Sequence, residues 1–200
     1  MGGSKFGKSK LIMGQYFSGV ILNSHKKNYP NKEKVAAWVS PYDFGNGAKL
    51  MEHSYINNNY VGAFETLINK ENGIYAGYPI IWAGDYADDE PYTLNGDRVT
   101  IYSLTDGVKS IKGITPKHYR YVINEDKKQF IDTNKIKADN YGYKIHPLPL
   151  LCADGNGRGN GDFYGKNSKR VGSWKRNVVV VSDIRPDESY KEITINFVEE

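Results

Sequence analysis

Short runs of aromatic and β-branched residues, each ended by turn-forming residues, recur along this chain and constrain its fold more than any other feature. Such runs suit half-buried strands rather than helices. The runs at 15–22 and 35–42 are joined by the polar residues 23–34 and predict an antiparallel pair, closed by the turn Tyr42-Asp43-Phe44-Gly45-Asn46-Gly47. The runs at 119–123 and 129–132 flank residues 124–128 and predict a second hairpin. Further strands are expected at 78–83, 99–104, 178–181 and 193–198, and Pro147 and Pro149 predict an extended path over 145–151.

A helical period occurs in one place of any length. Val61, Phe64, Leu67 and Ile68 share a face of a helix that follows the asparagines 57–59, with Asn59 as the expected cap and Asn72-Gly73 as the stop. Leu50, Met51, Tyr55 and Ile56 predict a short helical turn before it. The expected fold class is therefore α+β, mainly an antiparallel β-sheet with one principal helix packed on a face. Two hundred residues suffice for one substantial core, so residues 13–200 are expected to form a single domain. Residues 1–12, small and basic, read as a flexible extension, with Met13 as a natural start. The segment 13–18 has the spacing of a myristoylation signal, but that signal requires its glycine at the amino terminus.

Charge and cysteine usage narrow the function classes. A net charge of +4, with scattered basic residues, permits contact with phosphates without marking a dedicated nucleic-acid binder. Cys152 is the only cysteine, which excludes a disulfide framework and a cysteine zinc cluster and favours a reducing compartment. Its leucine-rich flank reads as core rather than as a reactive thiol. No apolar run approaches the roughly 18 residues of a membrane span, so no membrane partner and a cytoplasmic setting are expected. The 16 tyrosines suit half-buried sheets and ligand grooves.

Residues 153–174 form a glycine-rich stretch that no folding requirement explains. It is not a dinucleotide fingerprint, because Asn160 stands where the last glycine belongs, and it lacks the Gly-Lys-Ser/Thr of a P-loop. As a calcium loop it begins with Asp154, Asn156 and Gly159, but Arg158 and Gly165 then occupy ligand positions. General chemistry remains: Gly157 and Gly159 let backbone N–H groups approach an anion, and Arg158 and Arg170 add charge. Trp82, Tyr86, Tyr164 and Trp174 are the candidate stacking surfaces.

A second constellation is Trp82-Ala83-Gly84-Asp85-Tyr86-Ala87-Asp88-Asp89-Glu90, where clustered carboxylates such as Asp85 and Asp88 could hold a divalent cation or act as a general acid. His53, beside Glu52, and His146, held before Pro147, are the candidate acid–base histidines; the HExxH pattern is absent. His25 and His118 lie in polar, lysine-containing surroundings and read as surface residues.

Met13-Gly14-Gln15-Tyr16, Lys49-Leu50-Met51-Glu52-His53-Ser54, Trp82-Ala83-Gly84-Asp85-Tyr86-Ala87-Asp88, and His146-Pro147-Leu148-Pro149-Leu150-Leu151 with Gly155-Asn156-Gly157-Arg158-Gly159 together resemble an uncharacterised family of bacterial and bacteriophage proteins. The resemblance spans nearly all of residues 13–200. It implies one domain in a cytoplasmic setting and carries no activity or catalytic residue. Three functions are open at this point. The leading expectation is a binding protein for a small phosphorylated ligand, such as a nucleotide or nucleotide-derived signal. The others are a hydrolase of a phosphorylated substrate using His53, Asp85, Asp88 or His146, and a structural or host-interaction protein. No cofactor motif is complete.

Overall fold

Alternation along the strand runs sets the architecture, seen in a computed structural model that describes residues 14–26, 30–91 and 99–198. The extension expected over residues 1–12, and the start at Met13, lie outside the described residues. The strands are β1 (Phe17–Leu22), β2 (Val35–Val39), β3 (Ile80–Gly84), β4 (Tyr121–Asn124), β5 (Gln129–Asp132), β6 (Ala153–Asp154), β7 (Val179–Ser182) and β8 (Lys191–Glu192). The helices are α1 (Asn31–Lys34), α2 (Leu50–His53), α3 (Asn59–Ile68), α4 (Ile101–Leu104) and α5 (Pro147–Cys152). Of these, α3 alone exceeds two turns, and the fold is α+β as expected.

The strands form two four-stranded sheets, in the orders β2-β1-β3-β6 and β7-β4-β5-β8. Most pairings are antiparallel; β6 joins β3, and β8 joins β5, in parallel. Successive side chains on a strand face opposite ways. Phe17 and Ile21 of β1 accordingly enter the main core, while Val20 and Leu22 enter a smaller cluster with Ile101 of α4. Val122 of β4 joins the main core, whereas Tyr121 and Ile123 pack on the opposite face with Phe130 and Val180. The main core draws on both sheets, and Val61, Phe64, Leu67 and Ile68 of α3 lie within it.

The N-cap of α3 is Asn58, one residue before the expected position: its Oδ1 accepts from the N–H groups of Tyr60 and Val61. The helix stops at Ile68, short of Asn72-Gly73, because the chain there turns onto the second sheet. Lys70 N–H and the Asn69 carboxamide both donate to the carbonyl of Val181.

Three segments depart from expectation for identifiable reasons. Residues 147–152 are helical, not extended. Pro147 and Pro149 occupy the first turn, where an N–H has no intrahelical partner to lose. The run at 99–104 contains α4, capped by Thr100 Oγ1, which accepts from Ser103 N–H. Beyond β8, Ile193 N–H donates to Phe130 O, after which the chain leaves the sheet and buries Ile195, Phe197 and Val198 in the main core. Among the described residues no helix is long and apolar enough to cross a membrane.

Candidate active site

Glu65 follows Val61 by four residues and precedes Ile68 by three, which places it on the buried face of α3. Its side chain is 0% exposed. A buried carboxylate is costly unless hydrogen bonds and opposite charge compensate, and here two histidines do so. His146 Nε2 lies 3.1 Å from Glu65 Oε1, and His118 Nδ1 lies 3.3 Å from Oε2. Burial alone would push the Glu65 carboxyl up, but interactions with the His146 and His118 rings outweigh it and hold the group below its ordinary value.

The hydrogen bonds assign different roles to the two rings. His146 Nδ1 accepts from Leu148 N–H at 3.2 Å, as the cap of α5. That nitrogen therefore carries no proton, and Nε2–H donates to Glu65. With both nitrogens engaged and the residue buried, His146 holds Glu65 in place. His118 presents Nδ1 to the carboxylate, so the proton resides there and Nε2 is left available. Its side chain is 32% exposed.

The surrounding chain explains how His118 reaches α3. Thr66 Oγ1 accepts from Lys117 N–H and donates to Gly62 O, binding the incoming segment to the helix. Gly62 leaves room for the ring, since a Cβ there would lie 2.5 Å from His118 Cε1. His146 arrives through a bridge between Tyr55 and Ile145, and its N–H donates to Ser54 O.

His118 and His146 line a pocket of about 600 Å³ with Asn57, Tyr119, Arg120, Lys144 and Asp183. Arg120 is held by a two-bond fork to Asp132, at 3.1 and 2.9 Å, and its backbone N–H donates to Asp183. Lys144 is anchored through its carbonyl, which accepts from Ile56 N–H, while its exposed ammonium has no ion-pair partner among the described residues. The pocket thus offers one imidazole with a free nitrogen, backed by a buried carboxylate, beside an unneutralised cation. That arrangement can move a proton and hold an anion. Among the described residues, no group of three His, Cys, Asp or Glu side chains is placed to hold a metal ion.

Of the histidines expected to act as acid–base groups, His146 belongs to this site and His53 does not. His53 is buried, with Nδ1–H donating to Gly47 O at 3.0 Å and Nε2 accepting from Trp82 Nε1–H at 2.9 Å. Desolvation, partly offset by the Gly47 bond, lowers its pKa from 6.5 to about 4. The ring is a neutral core member without a nitrogen to offer. Trp82 and Trp174 are likewise fully buried, so neither presents a ring face for stacking; this corrects the expectation for both.

Asp85, Asp88, Tyr86 and Arg158 come together elsewhere. Asp85 Oδ1 accepts from Tyr16 N–H, and burial raises its pKa despite its backbone hydrogen bonds. Arg158 Nη1 lies 2.8 Å from Asp88 Oδ1 and also donates to Tyr86 O. The backbone cradle expected at Gly157 and Gly159 exists, but the protein fills it itself. The N–H groups of Gly157, Arg158 and Gly159 all donate to Asp162 Oδ2, at 2.7, 2.9 and 3.0 Å. A donor set spent on an internal carboxylate is closed to a phosphate. Tyr164 keeps an exposed ring and donates its hydroxyl proton to Gly159 O. Arg170 lines a different groove, beside β8, and does not share a cleft with Arg158.

The sequence reading missed Glu65 and assigned His118 to the surface. The available signal was a carboxylate inside the apolar stripe of the one long helix, a placement that demands partners. Comparison of the chain with protein-family models, with curated proteins and with solved structures gives no match.

Proposed function

We propose that the protein is a hydrolase of small phosphorylated molecules in which His118 moves the proton. The observation that supports this most directly is the Glu65–His118 pair, whose free Nε2 borders a pocket with an unpaired lysine. In the proposed reaction His118 Nε2 takes a proton from water as the water oxygen attacks phosphorus. Glu65 stabilises the imidazolium, Lys144 offsets charge on the phosphoryl oxygens, and the alkoxide, departing on the far side of phosphorus, takes its proton from solvent while the imidazolium releases its own to solvent. Water is consumed, the phosphorus–oxygen ester bond is cleaved, and an alcohol and phosphate leave. The test is turnover of a panel of phosphomonoesters and nucleotides by the intact chain and by His118→Ala. Proton transfer by a placed side chain contributes about 10²- to 10⁴-fold, so the variant should lose activity in that range while keeping its fold. Full activity in His118→Ala, or no turnover of any panel member, overturns the assignment.

A second reading, binding of a small phosphorylated ligand without turnover, is favoured by the full engagement of His146, which leaves the pocket a single free imidazole. Thermal stabilisation by such ligands without product formation would select it.

A further inference from the structure

A second cleft, of about 410 Å³, lies where β3 and β6 run side by side in parallel. Loops leave both strands at their carboxyl ends: Asp88 comes from the loop after β3, and Gly155, Asn156 and Arg158 from the loop after β6. The two loops diverge there and leave a concave space between them. The opposite wall is formed by Lys169, Gly172 and Lys175. Gly172, at φ 76°, brings this wall against β6: a Cβ on it would lie 2.6 Å from the carbonyl of Ala153.

Three cations face the cleft, in three electrostatic situations. Lys169 is exposed and has no ion-pair partner among the described residues. Lys175 Nζ lies 2.8 Å from Asp154 Oδ1, with 46% and 12% of the two side chains exposed, so Lys175 stays with Asp154 and offers its remaining N–H donors to the cleft. Arg158 pairs with Asp88 at 2.8 Å, with 45% and 63% of the two side chains exposed. The Arg158–Asp88 pair, exposed on both sides, is weak and exchanges partners at low cost. A multivalent anion entering the cleft meets Lys169 directly, shares Lys175 with Asp154 and competes with Asp88 for Arg158. Asp88 and Asp154 oppose a long polyanion tracking through the cleft, so the lining suits a compact anion better than a nucleic-acid backbone.

We propose that this cleft is a binding site for a small anion carrying two or more phosphate charges, held by Lys169 and Lys175 with Arg158 closing over it. The site shares no lining residue with the His118 pocket, and the proposal stands without the reading given above. The test uses isotope-labelled full-length protein titrated with sodium pyrophosphate at constant ionic strength, followed by amide resonances. Saturable shifts at Gly155, Asn156 and Gly172 are expected, unchanged in Lys144→Ala and weakened at least about tenfold in Lys169→Ala/Lys175→Ala. Lys169→Ala alone, which breaks no ion pair, should weaken binding without altering the ligand-free spectrum. No saturable shift at millimolar pyrophosphate, shifts retained in the double variant, or loss of binding in Lys144→Ala each overturns the proposal. Binding of a single-stranded oligonucleotide without pyrophosphate binding overturns it as well.

Discussion

Acidification should destabilise this protein through His53 by an amount that the structure sets. The ring is buried, and its pKa falls from 6.5 to about 4 on folding. Between those values the unfolded chain binds one proton more than the native one, so stability rises with pH. The contribution is complete above the unfolded value of 6.5 and is lost as pH falls towards 4. At about 1.36 kcal/mol per pKa unit, the difference amounts to about 3 kcal/mol. The matching perturbation is His53→Gln, which removes the titration. The glutamine can still accept from Trp82 Nε1–H, and losing the Gly47 bond adds a pH-independent cost of about 1 kcal/mol. Urea unfolding of both proteins between pH 7 and pH 4 is the assay. The wild type should lose about 3 kcal/mol more than the variant over that interval, and the two curves should converge or cross near the acidic end. Parallel curves would refute the reasoning, as would imidazole resonances showing that His53 gains its proton above pH 6 in the folded state.

Two further perturbations address other parts of the molecule. Asp162→Ala leaves the N–H groups of Gly157, Arg158 and Gly159 without their shared acceptor. It should cost about 1 to 3 kcal/mol in chemical denaturation and speed hydrogen exchange at those amides; unchanged exchange would show that the carboxylate does not order the loop. Gly62→Ala places a methyl group against the His118 ring, 2.5 Å from Cε1 before relaxation. Although Ala favours a helix over Gly by about 0.5–1 kcal/mol, the variant should lose turnover and show a displaced His118 resonance; intact turnover would mean that the ring does not need its seat on α3.

The elements legible in the sequence were those with a local cause. The second hairpin appeared with β5 at the expected residues 129–132, because β-branched and aromatic residues flank a turn that Lys128 completes at φ 50°. The helix α3 was visible from its apolar period. What escaped was determined by distant partners. The two residues of β6 are too few to carry a pattern, and only β3 makes them a strand. In α5 the prolines argued against a helix until their place in the first turn was known. For the site, His146 is visible in the sequence, but Glu65 carries no local signal beyond its place in the apolar stripe and His118 lies in polar surroundings typical of a surface, since nothing local joins residues so far apart. The glycine-rich loop does gather backbone N–H groups, as its glycines suggest. Their acceptor, Asp162, lies only three to five residues downstream in the same loop.

Glu65 must wait for partners 53 and 81 positions further along the chain. Contacts of such separation pay their loop-closure cost before they return any stability. Until the segments carrying His118 and His146 dock, the inner face of α3 carries an uncompensated carboxylate that resists being packed away. Packing that face without both histidines carries the cost of a buried, uncompensated charge. The same carboxylate that would orient the proton-carrying ring thus ties the packing of α3 to two distant segments of the chain.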